Sequence, residues 1–146
     1  MTVLYADTSA VIRAYFVDEP EHSRLHELLL ERDEPVVASE ITRVERAGQR
    51  LPPPAPGGSG RGPRSLRPSD EDCGDGARVS LLRLQPEDVL PRAVSLVQQQ
   101  RLRTLDAIHV VVALSVPHLL VADDVTLVTR DQRQEVGAHA LGLRVP

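Results

Sequence analysis

Residues 105–114, LDAIHVVVAL, are apolar almost all the way round a helix, so that helix must be covered on every side and not along one face only. Short β-prone runs recur around it: TVLYA at 2–6, VVA after Pro35, VSLLRL at 79–84 and VTLVT at 125–129. Segments of helical character alternate with them. AVIRAYF follows Asp7, with Thr8 or Ser9 expected as its N-cap. A second helix is expected over 21–31 with Leu25, Leu28 and Leu29 on one face, and a third after an Ser39 cap, carrying Ile41, Val44 and Glu45. A fourth is expected from about Asp88, with Pro91 tolerated in its first turn, and a closing helix over 132–141 precedes a last strand, LRV. Strands alternating with helices predict an α/β protein with a parallel, helix-covered sheet.

The chain has the length of one domain, 146 residues, and its 2% aromatic content leaves an aliphatic core. Every basic residue is Arg, which excludes any mechanism built on a lysine. A net charge of −4 speaks against coating nucleic acid by charge alone, but not against an enzyme that keeps carboxylates to hold cations. Arg clusters at 61, 64 and 67, at 101 and 103, and at 130 and 133 have the chemistry to touch phosphates; each also reads as an ordinary solvated face. A single cysteine, Cys73, excludes an intrachain disulfide and a cysteine zinc cluster. The first residues, MTVLYADTSA, do not have the pattern of a signal peptide, and no window approaches the roughly 18 apolar residues of a membrane span. A cytoplasmic location is the expectation.

Between about 48 and 79 the pattern breaks. That stretch holds seven of the nine glycines and six of the twelve prolines, with few apolar side chains. It reads as an irregular or disordered insert that buries too little surface to offset its ordering entropy.

Four carboxylates occupy informative places. Asp7 follows the first strand, Glu45 lies in the helix after the second, Asp106 starts the all-apolar helix, and Asp131 follows a later strand. Open parallel sheets bind ligands at the carboxyl ends of their strands, so the four are expected to converge there. Two carboxylates 4 Å apart repel by about 4 kcal/mol at an effective dielectric near 20, so such a cluster must take up protons or cations. Oxygen ligands alone favour Mg²⁺ or Mn²⁺ over zinc, and these ions suit phosphodiester hydrolysis. Each residue has an ordinary reading too: Asp7 and Asp131 as turn or cap residues, Asp106 as a helix-dipole partner, Glu45 as a surface glutamate. His109 reads as a packed histidine on a buried helix more readily than as a ligand. Glu40, Asp123 and Asp124 read as solvated charges, with Asp124 a substitute for Asp131.

The runs YADTSAVIRAYFVDEP, VVASEITRVE, RTLDAIHVVVAL and LVTRDQ, in this order, resemble the successive motifs of the PIN domain. DTSA and LDAIH are the most specific, and they are particularly similar to VapC toxins of VapBC toxin–antitoxin pairs. The resemblance covers about residues 1–46 and 80–146. It implies a three-layer α/β/α fold and a Mg²⁺- or Mn²⁺-dependent endoribonuclease acting on RNA, usually a homodimer inhibited by a cognate VapB-like antitoxin. By position it makes Asp7 and Asp106 the main metal ligands, Glu45 the acid of the second motif and Asp131 the fourth acid. Thr129 is then a polar neighbour and Ser9 the small hydroxyl residue beside the first Asp. Where the family continues the Glu-bearing helix, this chain has RAGQRLPPPAPGGSGRGPRSLRPSDEDCGDG, a composition that a GC-rich gene yields when read out of frame. We hypothesise a compensated frameshift between about residues 47 and 79, and an intact frame on resequencing the locus would sink it.

Other acidic-site phosphotransfer folds fit poorly. A haloacid-dehalogenase-type phosphatase wants an Asp where Ser9 stands, and both it and a receiver domain want a lysine. The absence of a glycine-rich phosphate loop disfavours a nucleoside-triphosphate enzyme. A non-enzymatic alternative is a degenerate toxin-like protein that only binds an antitoxin.

Overall fold

The first strand, β1 (Thr2–Ala6), is buried on both faces, as its unbroken apolar run requires of a central parallel strand. The structure is a computed structural model that describes residues 1–48 and 77–146. β1 is followed by α1 (Thr8–Tyr15), α2 (His22–His26) with a π-helical turn (Glu27–Glu31), β2 (Val36–Ser39) and α3 (Ile41–Gly48). After the undescribed residues come β3 (Val79–Leu82), α4 (Pro86–Gln100), α5 (Thr104–Leu119), β4 (Asp124–Val128) and α6 (Gln132–Ala140). The four strands are all parallel, in the order β3-β2-β1-β4.

The alternation of side chains along each strand builds the two outer layers. Val3 and Tyr5 of β1, Val37 of β2 and Val125 and Leu127 of β4 join one apolar cluster with Val89, Ala93 and Leu96 of α4 and the buried residues of α5. Leu4, Ala6, Val36, Ala38 and Val128 point the other way, onto Ala10, Val11 and Ala14 of α1 and onto Leu25 and Leu29. The expected three-layer α/β/α arrangement is what the chain adopts. Helix α5 is its keystone: eight of its residues are buried, in agreement with its all-round apolar sequence.

Several local expectations are corrected. The cap of α1 is Asp7 itself, not Thr8 or Ser9; its carboxylate accepts the Ala10 N–H while Thr8 and Ser9 enter the helix. Ser39 ends β2 and does not cap α3, although its Oγ still accepts from the Ile41 N–H at 3.3 Å. Helix α4 starts two residues before Asp88, at Pro86, where the missing N–H is no loss; Pro91 therefore lies beyond the first turn, inside the helix. The segment expected as one helix over 21–31 is a short α-helix continued by a π-helical turn. LRV forms no strand, only a single parallel bridge from Arg144 to Thr126. The irregular insert expected over 48–79 falls, save for Gly48 and the approach to β3, outside the described residues, as do Cys73 and the arginines at 61, 64 and 67. Among the described residues no single helix is long and apolar enough to cross a membrane.

Candidate active site

The chain runs outward from β1 to β2 and β3, then returns past β1 to lay β4 on its other side. The reversal leaves a crevice at the carboxyl ends of β1 and β4, the place where open parallel sheets bind ligands. Asp7 leaves β1 on one side of it, and Thr129 leaves β4 on the other. They meet across it, with Thr129 Oγ1 2.6 Å from Asp7 Oδ2.

Asp7 is only 4% exposed. Its Oδ1 accepts from the Ala10 N–H and the Ser9 hydroxyl, each at 2.8 Å, and Ser9 Oγ in turn accepts the Arg130 N–H at 3.0 Å. Burial raises its pKa above the ordinary aspartate value, against the hydrogen bonds from Thr129, Ala10 and Ser9 that favour the ionised form. Thr129 Oγ1 also lies 2.6 Å from Gln134 Oε1 and accepts the Asp131 N–H at 3.1 Å. The Gln134 amide is oriented by its Nε2, which donates to the Asp106 carbonyl at 3.3 Å. A threonine hydroxyl carries one proton and here faces two acceptors. That one proton serves Asp7 Oδ2 or Gln134 Oε1, not both at once.

Asp106, in the first turn of α5, stands across the crevice. Burial raises its pKa, and the charges of Asp131 and Asp7 raise it further, outweighing Arg103 and His109. Its Oδ2 is buried without a hydrogen-bond partner. Asp131 caps α6, its Oδ1 accepting from the Arg133 and Gln134 N–H groups. Asp7 and Asp131 thus both satisfy helix N-termini and both add charge to one place.

Glu45 reaches in from α3. Its Oε1 accepts from the Thr8 hydroxyl at 2.7 Å and lies 2.5 Å from His109 Nε2. Burial raises the Glu45 pKa, but the hydrogen bond and charge of His109, with the bond from Thr8, prevail and leave it lowered. His109 is packed, 2% exposed, as its place on α5 suggested, yet it binds a site carboxylate directly. Tyr5 and Gln134 were not singled out from sequence, and Thr8 and His109 were read there only as a cap and a packed histidine. Their one legible signal is spacing: Tyr5 lies two residues before Asp7 on a strand, and His109 three after Asp106 on a helix.

The lesser candidates separate clearly. Asp124 begins β4, beside Thr2 at the amino edge of the sheet, and pairs with Arg144 at 2.8 Å. It lies a full strand length from Thr129 and does not substitute for Asp131. Asp123 is an exposed partner of the chain's amino group. Glu40 is not merely solvated; its Oε1 accepts the Leu84 N–H at 2.7 Å and ties α3's entry to β3's exit.

Whether this set suits a divalent cation is decided by its donors. No three Asp, Glu, His or Cys side chains among the described residues stand close enough to hold a metal ion as they are. Mg²⁺, however, commonly takes one or two carboxylates and completes its shell with water. The donors are hard oxygens, burial together with the charges of Asp131 and Asp7 raises the Asp106 pKa, and one buried carboxylate oxygen has no partner. The chemistry of these donors suits such an ion.

Comparison with known proteins agrees with this geometry. A search among curated proteins finds no match. The family model described as PIN domain matches residues 4–139, and domains of this family are typically metal-dependent nucleases. An all-parallel sheet with acids gathered at the crevice between β1 and β4, matched over nearly its whole length by that model, makes this chain a member of the PIN domain family.

Proposed function

We propose that this chain is a Mg²⁺- or Mn²⁺-dependent endoribonuclease, the toxin of a VapBC-type toxin–antitoxin pair. The observation that carries the catalytic part is Asp106: its carboxylate feels the charges of Asp7 and Asp131 and keeps a buried oxygen without a partner. A buried unpaired carboxylate oxygen is costly unless a cation or proton meets it. A bound divalent ion would supply Lewis acidity toward a phosphodiester and a water acidified for in-line attack.

The protein's own residues then divide the work. Asp7, at the end of β1, and Asp106, at the start of α5, would hold the ion. Asp131 and Glu45 add negative charge around it, and Glu45 keeps Oε2 clear of hydrogen bonds to the described residues. Thr129 and Ser9 fix the two oxygens of Asp7, and Gln134 ties that arrangement to the start of α5. The toxin role, the VapB-like antitoxin and the homodimer rest on the DTSA and LDAIH blocks.

The test is cleavage of labelled RNA by purified protein with Mg²⁺ or Mn²⁺, with EDTA, and with Asp106→Asn. Cleavage that needs the metal and is lost in the variant is expected; cleavage that survives EDTA would point to a contaminant. The absence of a ready three-carboxylate cluster among the described residues speaks for the alternative, a toxin-like protein that only binds an antitoxin. No cleavage under any condition, together with antitoxin binding, would establish that reading instead.

A further inference from the structure

We propose that Tyr5 and His109 are positioning residues for Glu45, a buried tether that fixes one carboxylate oxygen and leaves the other to serve the site. The proposal rests on reading Glu45 as one of the site's acids.

Tyr5 is 0% exposed, its hydroxyl 2.8 Å from His109 Nδ1, and the two rings meet edge to face. On the far side of the imidazole, Nε2 lies 2.5 Å from Glu45 Oε1. Thr8 Oγ1 completes the ring of contacts, 3.3 Å from Nε2 and 3.2 Å from Thr42 Oγ1.

Proton inventory fixes the Glu45 end of this chain: an ionised carboxylate only accepts, so Nε2 must carry a proton. At the other end Nδ1 meets the Tyr5 hydroxyl in either charge state, accepting the phenol proton in a neutral ring and donating to the phenol oxygen in a charged one. The tether runs from Tyr5 on β1 through His109 on α5 to Glu45 on α3.

Its placement argues for more than core satisfaction. Tyr5 lies on β1 two residues before Asp7, which directly follows the strand, and His109 shares a face of α5 with Asp106, three residues back. Any shift of β1 or α5 that moves one of these acids thus moves the tether as well. Glu45 sits on α3, an eight-residue helix that follows β2 and precedes the undescribed residues, and it takes its position from elements that hold the other acids. Partners one bond removed from metal-holding groups commonly change metal affinity about 10–100-fold when lost.

The test is Mn²⁺ binding to the full chain, followed by the electron-spin resonance of free Mn²⁺, in wild type, Tyr5→Phe, Glu45→Gln and the double variant. Tyr5→Phe is expected to weaken Mn²⁺ about 10-fold, and to add nothing once Glu45 is Gln. Equal affinity in wild type and Tyr5→Phe overturns the proposal, as does an equal loss in both backgrounds. If Tyr5→Phe does not fold, His109→Leu enters the same cycle, since it removes the donor to Glu45 without leaving a buried polar ring. If wild type binds no Mn²⁺, the metal reading fails by itself and the tether is judged by imidazole ¹⁵N resonances. A ring protonated at Nδ1 alone overturns it; an Nε2 proton protected from exchange in wild type and exposed in Glu45→Ala sustains it.

Discussion

Asp7 holds two jobs that pull in opposite directions. As the cap of α1 it accepts three hydrogen bonds, and as a buried carboxylate it pays for desolvation beside other acids. Substitutions separate the two. Asp7→Asn keeps a good cap, and its amide can donate to Thr129, whose proton then goes to Gln134. We predict that it abolishes cleavage and raises the metal-free melting temperature at neutral pH, where about 1 kcal/mol moves Tm by roughly 3–6 °C. Asp7→Ala also abolishes cleavage, but it lowers Tm, because losing a cap costs about 0.5–2 kcal/mol. Relief of repulsion alone would have predicted a gain for Ala. Thr129→Val is expected to cost about 1–3 kcal/mol in urea unfolding, since it strips the partner from buried Gln134 and from Asp7; an unchanged midpoint would refute that role.

At the scale of elements, the strands and the buried helix were legible because their apolar runs are long and their periods distinct. The misreadings lie at the ends. Thr8 and Asp7 are both good caps in sequence, and only the hydrogen bond to the Ala10 N–H chooses between them. LRV has strand propensity, but Arg144 finds one bridge partner and no ladder. The places of Asp7, Asp106 and Asp131 were legible as well, because each stands at a strand end or helix start, whereas Glu45 lies in the middle of α3. Their partners were not: Tyr5 meets His109 across 104 residues, and periodicity says only that both face inward. The turn between α5 and β4 holds a feature no pattern reveals. Val121 is 90% exposed and adopts φ 52°, a left-handed conformation that costs a side chain roughly 1–2 kcal/mol, more awkward still when β-branched. Val121→Gly is predicted to stabilise the protein by about 0.5–1 kcal/mol after the extra unfolded-state entropy of glycine. A lower urea midpoint would show that the turn is not strained.

For the whole molecule, the acids make metal-free stability depend on pH. A carboxyl whose folded pKa lies above its unfolded value stabilises the fold while protonated; that contribution is full below the unfolded value and lost as pH rises through the folded one. Asp7 and Asp106 are of this kind. Glu45 is the reverse, stabilising above its unfolded pKa and losing that contribution as pH falls through its lowered one. Asp106→Asn is therefore expected to melt higher than wild type at pH 7.5 without metal, and the difference is expected to vanish below the ordinary aspartate value of 3.8. A constant difference across that range would contradict the sign of the shift. Metal works in the opposite sense: Mn²⁺ in excess raises wild-type Tm at pH 7.5, by an amount set by its affinity, and does little for Asp106→Asn. The measurement closest to the central claim is an anomalous difference map from crystals of the protein grown with Mn²⁺. The account predicts a peak in the crevice between β1 and β4, bounded by the carboxylates of Asp7 and Asp106. Density only elsewhere, or a crevice filled by the Asp106 side chain bonded to protein alone, would contradict it.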